Sequence, residues 1–379
     1  GETLTIDGVT IVFQLTPDTE APAEMNFFLP QLRALCLAEN ANPTMHNVLT
    51  PRGALVRDAK RWADHLTEAQ RLYGAGTDVL FTSHGWPRFG REAVGDFIAH
   101  HRDAYKFLHD QTVRLMNMGL TGEEIADRLA LPATLAAKWY NRGYYGTMRH
   151  NSRAIYQRYM GWYEGNPAGL NNQPKEQSAP RYVALMGGAK KVRKAAEKAM
   201  AAGDYRWAAE LLDLAVFAGD AASKPLLAEA HRQMAYQAES AIWRAMYLTA
   251  ARELTEGVTP SPPVGQGVDF IAATPTATLL DLLAVRIDPA KARDMTLNLA
   301  FPDRKEAFAV TVRNGVLIHE QGAHAEADVS LSLPRAAFLG AMFAGMPAAS
   351  AKIDGDAESW KAFAGFFDAP DPNFAIVTP

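Results

Sequence analysis

The first 118 residues switch between two hydrophobic periods. "GVTIVFQL" and "DVLFTS" are short apolar, β-branched runs, the pattern of strands. "DAKRWADHLTEAQRLYG" instead repeats apolar positions every three to four residues. "REAVGDFIAHHRDAYKFLHDQTVRLMNMG" does the same over a longer span that ends at Gly119. Strands and helices in alternation predict an α/β layer. From 121 to about 256 no strand pattern remains. Thr121 and Glu124 have the spacing of a capping box. "AKKVRKAAEKAMAAG", "DYRWAAELLDLAVFAG", "KPLLAEAHRQMAYQAES" and "AIWRAMYLTAARELTEG" then predict helices in pairs, whose mix of Ala with Leu, Trp and Tyr suits closely packed hairpins. "VTPSPPVGQG", residues 258–267, is dense in Pro and Gly and reads as a linker. Beyond it, "MTLNLAFP", "EAFAVTVRNGVLIHEQG" and "ADVSLSLP" read as strands, with Asn314-Gly315 as a type I′ turn, and "RAAFLGAMFAG" and "DAESWKAFAGFF" read as helices. The expected organisation is α/β over 1–118, all-α over 119–257 and α+β over 258–379.

Composition narrows this picture. A chain of 379 residues exceeds one ordinary core. Hydrophobic residues at 48% and charged residues at 21% are a globular mixture, and the net charge of −4 gives no bulk attraction for a polyanion. Cys36 is the single cysteine, so there is no internal disulfide and no thiolate zinc cage. Any metal must be held by His, Asp and Glu. No apolar run approaches the roughly 20 residues of a membrane span. "GETLTIDGVTI" lacks Met and is not a signal peptide; it reads as the middle of a sheet. The chain is therefore expected to begin inside a domain, with any signal region outside it.

Three stretches concentrate polar residues at element ends. "LTPDTEAPAEMNFFLP" carries Glu20 and Glu24, "ALCLAENANPTMHNVLTPRGA" carries Glu39, Asn40, His46 and Asn47, and "SHGWPRFG" carries His84. Carboxylates and histidines at strand ends of an α/β fold are where sites form, and zinc accepts both donor types. The alternative is structural: a lone His at a strand end is usually a satisfied residue, and a Glu after a strand often caps a turn.

Together these stretches resemble the metallo-β-lactamase-type alkylsulfatases, which hydrolyse alkyl sulfates such as dodecyl sulfate. "TEAPAEM", "CLAEN", "HNVLTPRGA" and "SHGWPRFG" stand in that family's order and spacing. "NRGYYGTMRHN", "AIYQRYMGWYEGNPAGL", "RYVALMGG" and "GDYRWAAELLDLAVFA" resemble its helical dimerisation domain, and the C-terminal segment resembles its sterol-carrier-like domain. The resemblance implies the C-terminal part of a metallo-β-lactamase αββα sandwich, then a dimerisation domain, then a lipid-holding module. It implies two zinc ions with Glu20, Glu39 and His84 among the ligands, Glu39 lying between the metals and Glu24 the alternative to Glu20. His46 matches a proposed general acid, and Arg142, Tyr145 and His150 would approach the sulfate. It further implies a homodimer and a periplasmic or secreted location. Tyr144, Tyr156, Trp162 and Tyr163 are expected to pack the helical core. Phe27, Phe28, Met25 and Trp86 are candidates for an alkyl groove, with ordinary core as the alternative. His319 and His324 are expected at the surface.

Two departures stand out. The family's upstream His-x-His-x-Asp-His run has no counterpart here, since the adjacent His100 and His101 lie in a helix without the Asp. The chain is thus expected to need the missing N-terminal half of the catalytic domain. Gly85 stands where the family often has a second His, which reads as the loss of a supporting group. Three rivals remain: a lipid-binding or assembly protein with an incomplete metal site, a nuclease-like metallo-hydrolase on the same scaffold, and a DNA-binding regulator using "TGEEIADRLALPATLAAKWYNRG" as a helix-turn-helix.

Overall fold

A computed structural model describes residues 2–260, 268–348, 350–369 and 371–379. Residues 261–267 of the 258–267 linker therefore fall outside the described residues. The chain divides into two compact units, Gly1–Gly257 with Ala375–Pro379, and Val258–Phe374.

The first unit opens with β1 (Thr3–Ile6), β2 (Val9–Leu15), β3 (Met25–Leu29) and β4 (Ala34–Cys36), followed by α1 (Ala59–Tyr73), β5 (Val79–Phe81), β6 (Arg88–Phe89) and α2 (Arg91–Met116). The six strands form one sheet in sequence order. Every neighbouring pair is antiparallel except β4 and β5, which run parallel because α1 carries the chain back between them. Asp58 starts α1 by accepting the amides of Lys60 and Arg61. The face Ala59, Trp62, Ala63, Leu66, Ala69 and Tyr73 then buries itself. Leu35, Leu80, Phe97 and Tyr105 complete that core, with Trp62 stacked on Tyr105 at 4.7 Å. Each such fully buried side chain contributes roughly 2 kcal/mol.

Eight helices follow: α3 (Gly122–Arg128), α4 (Ala133–Ala136), α5 (Met148–Met160), α6 (Lys175–Leu185), α7 (Ala189–Ala201), α8 (Tyr205–Phe217), α9 (Lys224–Gln237) and α10 (Ala241–Glu256). Both halves of the Thr121–Glu124 capping box are made. Helices α7 to α10 pack sequentially, and Ala196, Ala208, Ala215, Ala228 and Ala230 are fully buried, so alanine allows their close approach. The helix-turn-helix reading fails here. Its second helix, α4, is one turn of four residues, too short to lie in a groove. Tyr156 is buried as expected. Tyr144 is instead exposed in the irregular stretch before α5, and Trp162 is exposed and Tyr163 half-buried because the chain after α5 leaves the helical layer through an irregular stretch before α6.

The second unit contains α11 (Val268–Ala273), α12 (Thr276–Ala284), β7 (Met295–Phe301), β8 (Glu306–Arg313), β9 (Val316–Gln321), β10 (Val329–Ser332), α13 (Arg335–Ala344), β11 (Lys352–Gly355) and α14 (Ala357–Ala364). Its sheet runs β11-β10-β7-β8-β9, with β7 and β10 parallel. Strand β7 alternates buried and half-buried positions, and Leu279, Leu283, Phe338, Trp360 and Phe363 pack with it in one core. Asn314 and Gly315 both take positive φ, 54° and 74°, as a type I′ turn requires. His324 is exposed and His319 is half-buried: its side chain is 16% exposed and faces the exposed Asp281 at 2.8 Å. No helix of the described residues is long and apolar enough to cross a membrane.

Candidate functional site

The parallel pair β4–β5 sets the site. Strands that run parallel end on the same edge, so the residues just after them meet. Leu37 N–H donates to Phe81 O at 3.1 Å and Ser83 N–H to Ala38 O at 2.9 Å, which continues the pairing past both strands. Glu39 and His84 follow directly, and His84 Nε2 lies 3.1 Å from Glu39 Oε1. The other oxygen of Glu39 lies 2.8 Å from Nε2 of His46. Glu39 titrates at about 2: the hydrogen bond from His46 dominates, burial opposes it, and His84 adds to the lowering.

Glu20 arrives from the β2–β3 connection. Its carboxylate accepts from Arg57 Nη2, whose Nη1 donates to Asn47 O at 2.9 Å and Asn47 Oδ1 at 2.7 Å and lies 3.1 Å from His46 Nδ1. Nε2 of His46 faces the Glu39 carboxylate, which only accepts, so Nε2 carries a proton, while Nδ1 lies 3.1 Å from both the Arg57 guanidinium and the Asn47 carbonyl. Donor atoms of Glu20, Glu39 and His46 all lie within 4.8 Å of one another. Glu24 stands apart, because its carboxylate accepts the Glu39 amide at 3.0 Å. Burial pushes its pKa up, and the charges of Glu20 and Glu39 add to that.

The His46 backbone is held from three sides. Its amide donates to the Tyr105 hydroxyl at 2.9 Å, and its carbonyl accepts from Asn151 Nδ2 at 2.9 Å. A Cβ on Gly146 would lie 2.3 Å from the same carbonyl oxygen, so that position has no room for a side chain. Tyr145 reaches the site, its ring edge-on to His46 at 4.8 Å. Arg142 does not turn inward; it is half-exposed, pairs with Glu239 and lies over Tyr144 at 5.2 Å. His150 is spoken for: Nε2 meets Leu49 O, Nδ1 accepts from Trp243 Nε1 at 3.3 Å, and burial pushes its pKa down. The proposed alkyl-groove residues do not gather. Phe28 stacks on Tyr73 at 5.3 Å, while Phe27 points to the other face of β3 and meets Phe13 and Phe81. Trp86 is 81% exposed.

Gly85 has a backbone reason to be glycine. It sits at φ 85°, and a Cβ there would lie 2.7 Å from Pro43 Cγ, so a second histidine would require a different turn. Reading from sequence missed Arg57, Gly146 and Asn151.

A family model described as alkyl sulfatase dimerisation matches residues 121–257, and one described as alkyl sulfatase C-terminal matches 265–379. A linear primary-alkylsulfatase of Pseudomonas sp. strain ATCC 19151 is 36% identical over 98% of this chain and 74% of its own length. The chain belongs to the alkylsulfatase family. An (R)-specific secondary-alkylsulfatase of a Pseudomonas species is 45% identical over 99% of this chain and 58% of that protein. The solved stereoselective inverting sec-alkylsulfatase Pisa1 of Pseudomonas sp. superposes with a TM-score of 0.96 at 42% identity, covering 100% of this alkylsulfatase-family chain and 61% of Pisa1. The chain thus spans about three-fifths of the length of several relatives it matches.

The donor set suits zinc. Two carboxylates and an imidazole converge, and a second imidazole touches Glu39.

Proposed function

We propose that this chain is the C-terminal portion of a zinc-dependent alkylsulfatase that hydrolyses alkyl sulfate esters to alcohol and sulfate. The observation that carries the reading is the convergence of Glu20, Glu39 and His46, with His84 on the far oxygen of Glu39, in a member of this family. Glu20, Glu39 and His84 would hold metal, and an upstream half of a metallo-β-lactamase-like sandwich would supply the remaining ligands. The apolar side chains Leu4, Ile6, Val9, Leu15 and Met25 exposed on β1–β3 support a further layer over that sheet. Bound there, two zinc ions would neutralise the sulfate and acidify water towards a pKa of about 7.

The chain's own residues supply the rest. Arg57 holds Asn47, and with it the His46 ring, so that Nε2 faces the site; as the imidazolium, with Nδ1–H on the Asn47 carbonyl, His46 would give its Nε2 proton to the departing alkoxide oxygen and return to the neutral ring. Tyr145 closes one side of His46 against water. Arg142 would have to exchange Glu239 for sulfate oxygens to act on substrate. The helical segment would form a homodimer, and the C-terminal unit, as a sterol-carrier-like module, would hold the alkyl chain. A periplasmic or secreted location fits such a substrate.

The test is zinc analysis with a dodecyl sulfate hydrolysis assay, on this chain and on the protein extended by its upstream half. Stoichiometric zinc and turnover in the extended protein are expected, with weak binding in the chain alone. No zinc and no turnover in the extended protein would favour a lipid-binding or assembly role instead.

A further inference from the structure

Arg88 is half-buried, yet its Nε and Nη2 are buried without a hydrogen-bond partner, and it pairs with no carboxylate among the described residues. Leaving a cation's donors unmatched in this way costs free energy unless something else faces them. What faces them is aromatic. The guanidinium carbon lies 4.8 Å from the Trp139 ring centroid, 5.0 Å from Phe97 and 5.5 Å from Tyr140. All three are within the roughly 6 Å at which a ring quadrupole attracts a cation. An apolar side chain would fill the same space, so the charge is there to bind rings rather than to fill volume.

The cage joins two parts of the candidate site. Arg88 opens β6 and pairs with Leu80 across the hairpin whose turn, 82–87, carries His84. Apart from Thr82 Oγ1 on its own backbone carbonyl and Glu39 on its ring, the described structure gives His84 no other hydrogen-bond partner, and its side chain is 66% exposed. The rings belong to α2 and to the 139–141 turn, where Tyr140 is itself fixed by Asp96 at 3.1 Å. From Tyr140 the chain passes directly to Arg142, whose carbonyl accepts from Met45 N, and to Gly146, whose amide donates to Met45 O at 2.9 Å. Met45 precedes His46.

We infer that Arg88 is a positioning residue: its cation, caged by Phe97, Trp139 and Tyr140, holds the His84 turn in register with the segment that seats His46. The inference rests on the sulfatase reading for its kinetic consequence, but its structural consequence does not depend on it.

Two measurements test it. In the 379-residue chain, hydrogen–deuterium exchange of the Ser83 amide, which donates to Ala38 O, should quicken at least fivefold in Arg88→Met while α1 is unchanged; unchanged exchange at Ser83 overturns the inference whether or not any ester is hydrolysed. In the extended protein, Arg88→Met should lower kcat for dodecyl sulfate on the order of tenfold with little change in KM, consistent with a partly desolvated cation–π contact. Arg88→Lys should recover most of that, because an ammonium still binds the rings. In a His84→Ala background the same Met substitution should cost less than twofold. An equal drop in both backgrounds, or a lowered Tm with kcat intact, overturns it. If Arg88→Met does not fold, Trp139→Leu removes one half-exposed face of the cage and is expected to act in the same direction; no effect on exchange or kcat there also counts against it.

Discussion

Arg57 and His46 form the central relationship of the site: a buried guanidinium lies 3.1 Å from the Nδ1 of a buried imidazole and, from its other nitrogen, donates to Glu20. One side chain therefore ties together the placement of His46, the rotamer of Asn47 and the charge balance of Glu20. Arg57→Ala would leave a carboxylate that is only 19% exposed without its cation. Breaking such a pair costs about 3–5 kcal/mol, and urea unfolding at neutral pH should read that loss. Arg57→Lys should recover part of it, since a point charge restores the pairing but not the fork. A loss under about 1 kcal/mol for the alanine variant would show that the pair does not organise the site.

His46 tests which groups hold metal. It lies with Glu20 and Glu39 within ligand reach, and its proton-bearing Nε2 faces Glu39. In the extended protein, His46→Gln is expected to keep its zinc and lose about 100-fold or more in kcat, the scale of a removed general acid. Glu39→Gln is expected to lose zinc affinity by more than about 100-fold, above the range seen when only a supporting group is removed. Metal content measured beside kcat separates the two. Zinc lost from His46→Gln would make His46 a ligand, and full activity in Glu39→Gln would remove Glu39 from the site.

Gly146 carries a sterically driven prediction. Its missing Cβ would meet His46 C at 2.5 Å and Asn47 N at 2.6 Å, and both are backbone atoms that cannot swing aside. Gly146→Ala should therefore push the His46–Asn47 segment off Asn151 and Tyr105 and lower stability by roughly 2 kcal/mol or more. Gly95, inside α2 with open space at its Cβ position, is the control. Gly95→Ala should stabilise by up to about 1 kcal/mol. Thermal unfolding of the two variants side by side decides it, and equal effects would sink the steric argument.

The contrast between these residues explains what the sequence makes legible. Periodic burial is written locally, so the spans of α1, α2 and α7 to α10 and the Asn314-Gly315 turn follow from spacing and capping alone. Glu39 and His84 were candidates because strand ends in an α/β layer collect polar residues, and the family resemblance singled them out. Arg57, Gly146 and Asn151 act across contacts 10, 100 and 105 residues away in sequence, where no local pattern points to the partner. Short elements were also hidden: β6 has two residues and α4 has four, too few for a period to show. The exposed Trp162 and the outward-turned Arg142 misled for the same reason. Residue type predicts burial or charge, while the direction of a side chain is set by neighbours that one sequence does not name.

His101 gives the chain a pH dependence separate from the metal. It is fully buried, stacked on Tyr140 at 5.4 Å, with Nε2 2.9 Å from Asn42 O. Burial pushes its pKa down to about 4, and the charges of Arg88 and His100 act in the same direction. The folded form thus binds a proton less readily than the unfolded chain, whose histidine titrates near 6.5. Between those values the unfolded state takes up more protons, so stability is complete above about 6.5 and is lost as pH falls towards 4. The loss approaches roughly 3 kcal/mol at most. Carboxylates titrate in the same window, so the measurement is a difference: unfolding free energy of the native chain minus that of His101→Gln, taken from pH 7 to pH 4. The difference should shrink steadily as the pH is lowered, because only the histidine must be charged or held neutral at a cost. A difference independent of pH would mean that His101 takes up its proton equally in the folded and unfolded states, and would overturn the burial argument.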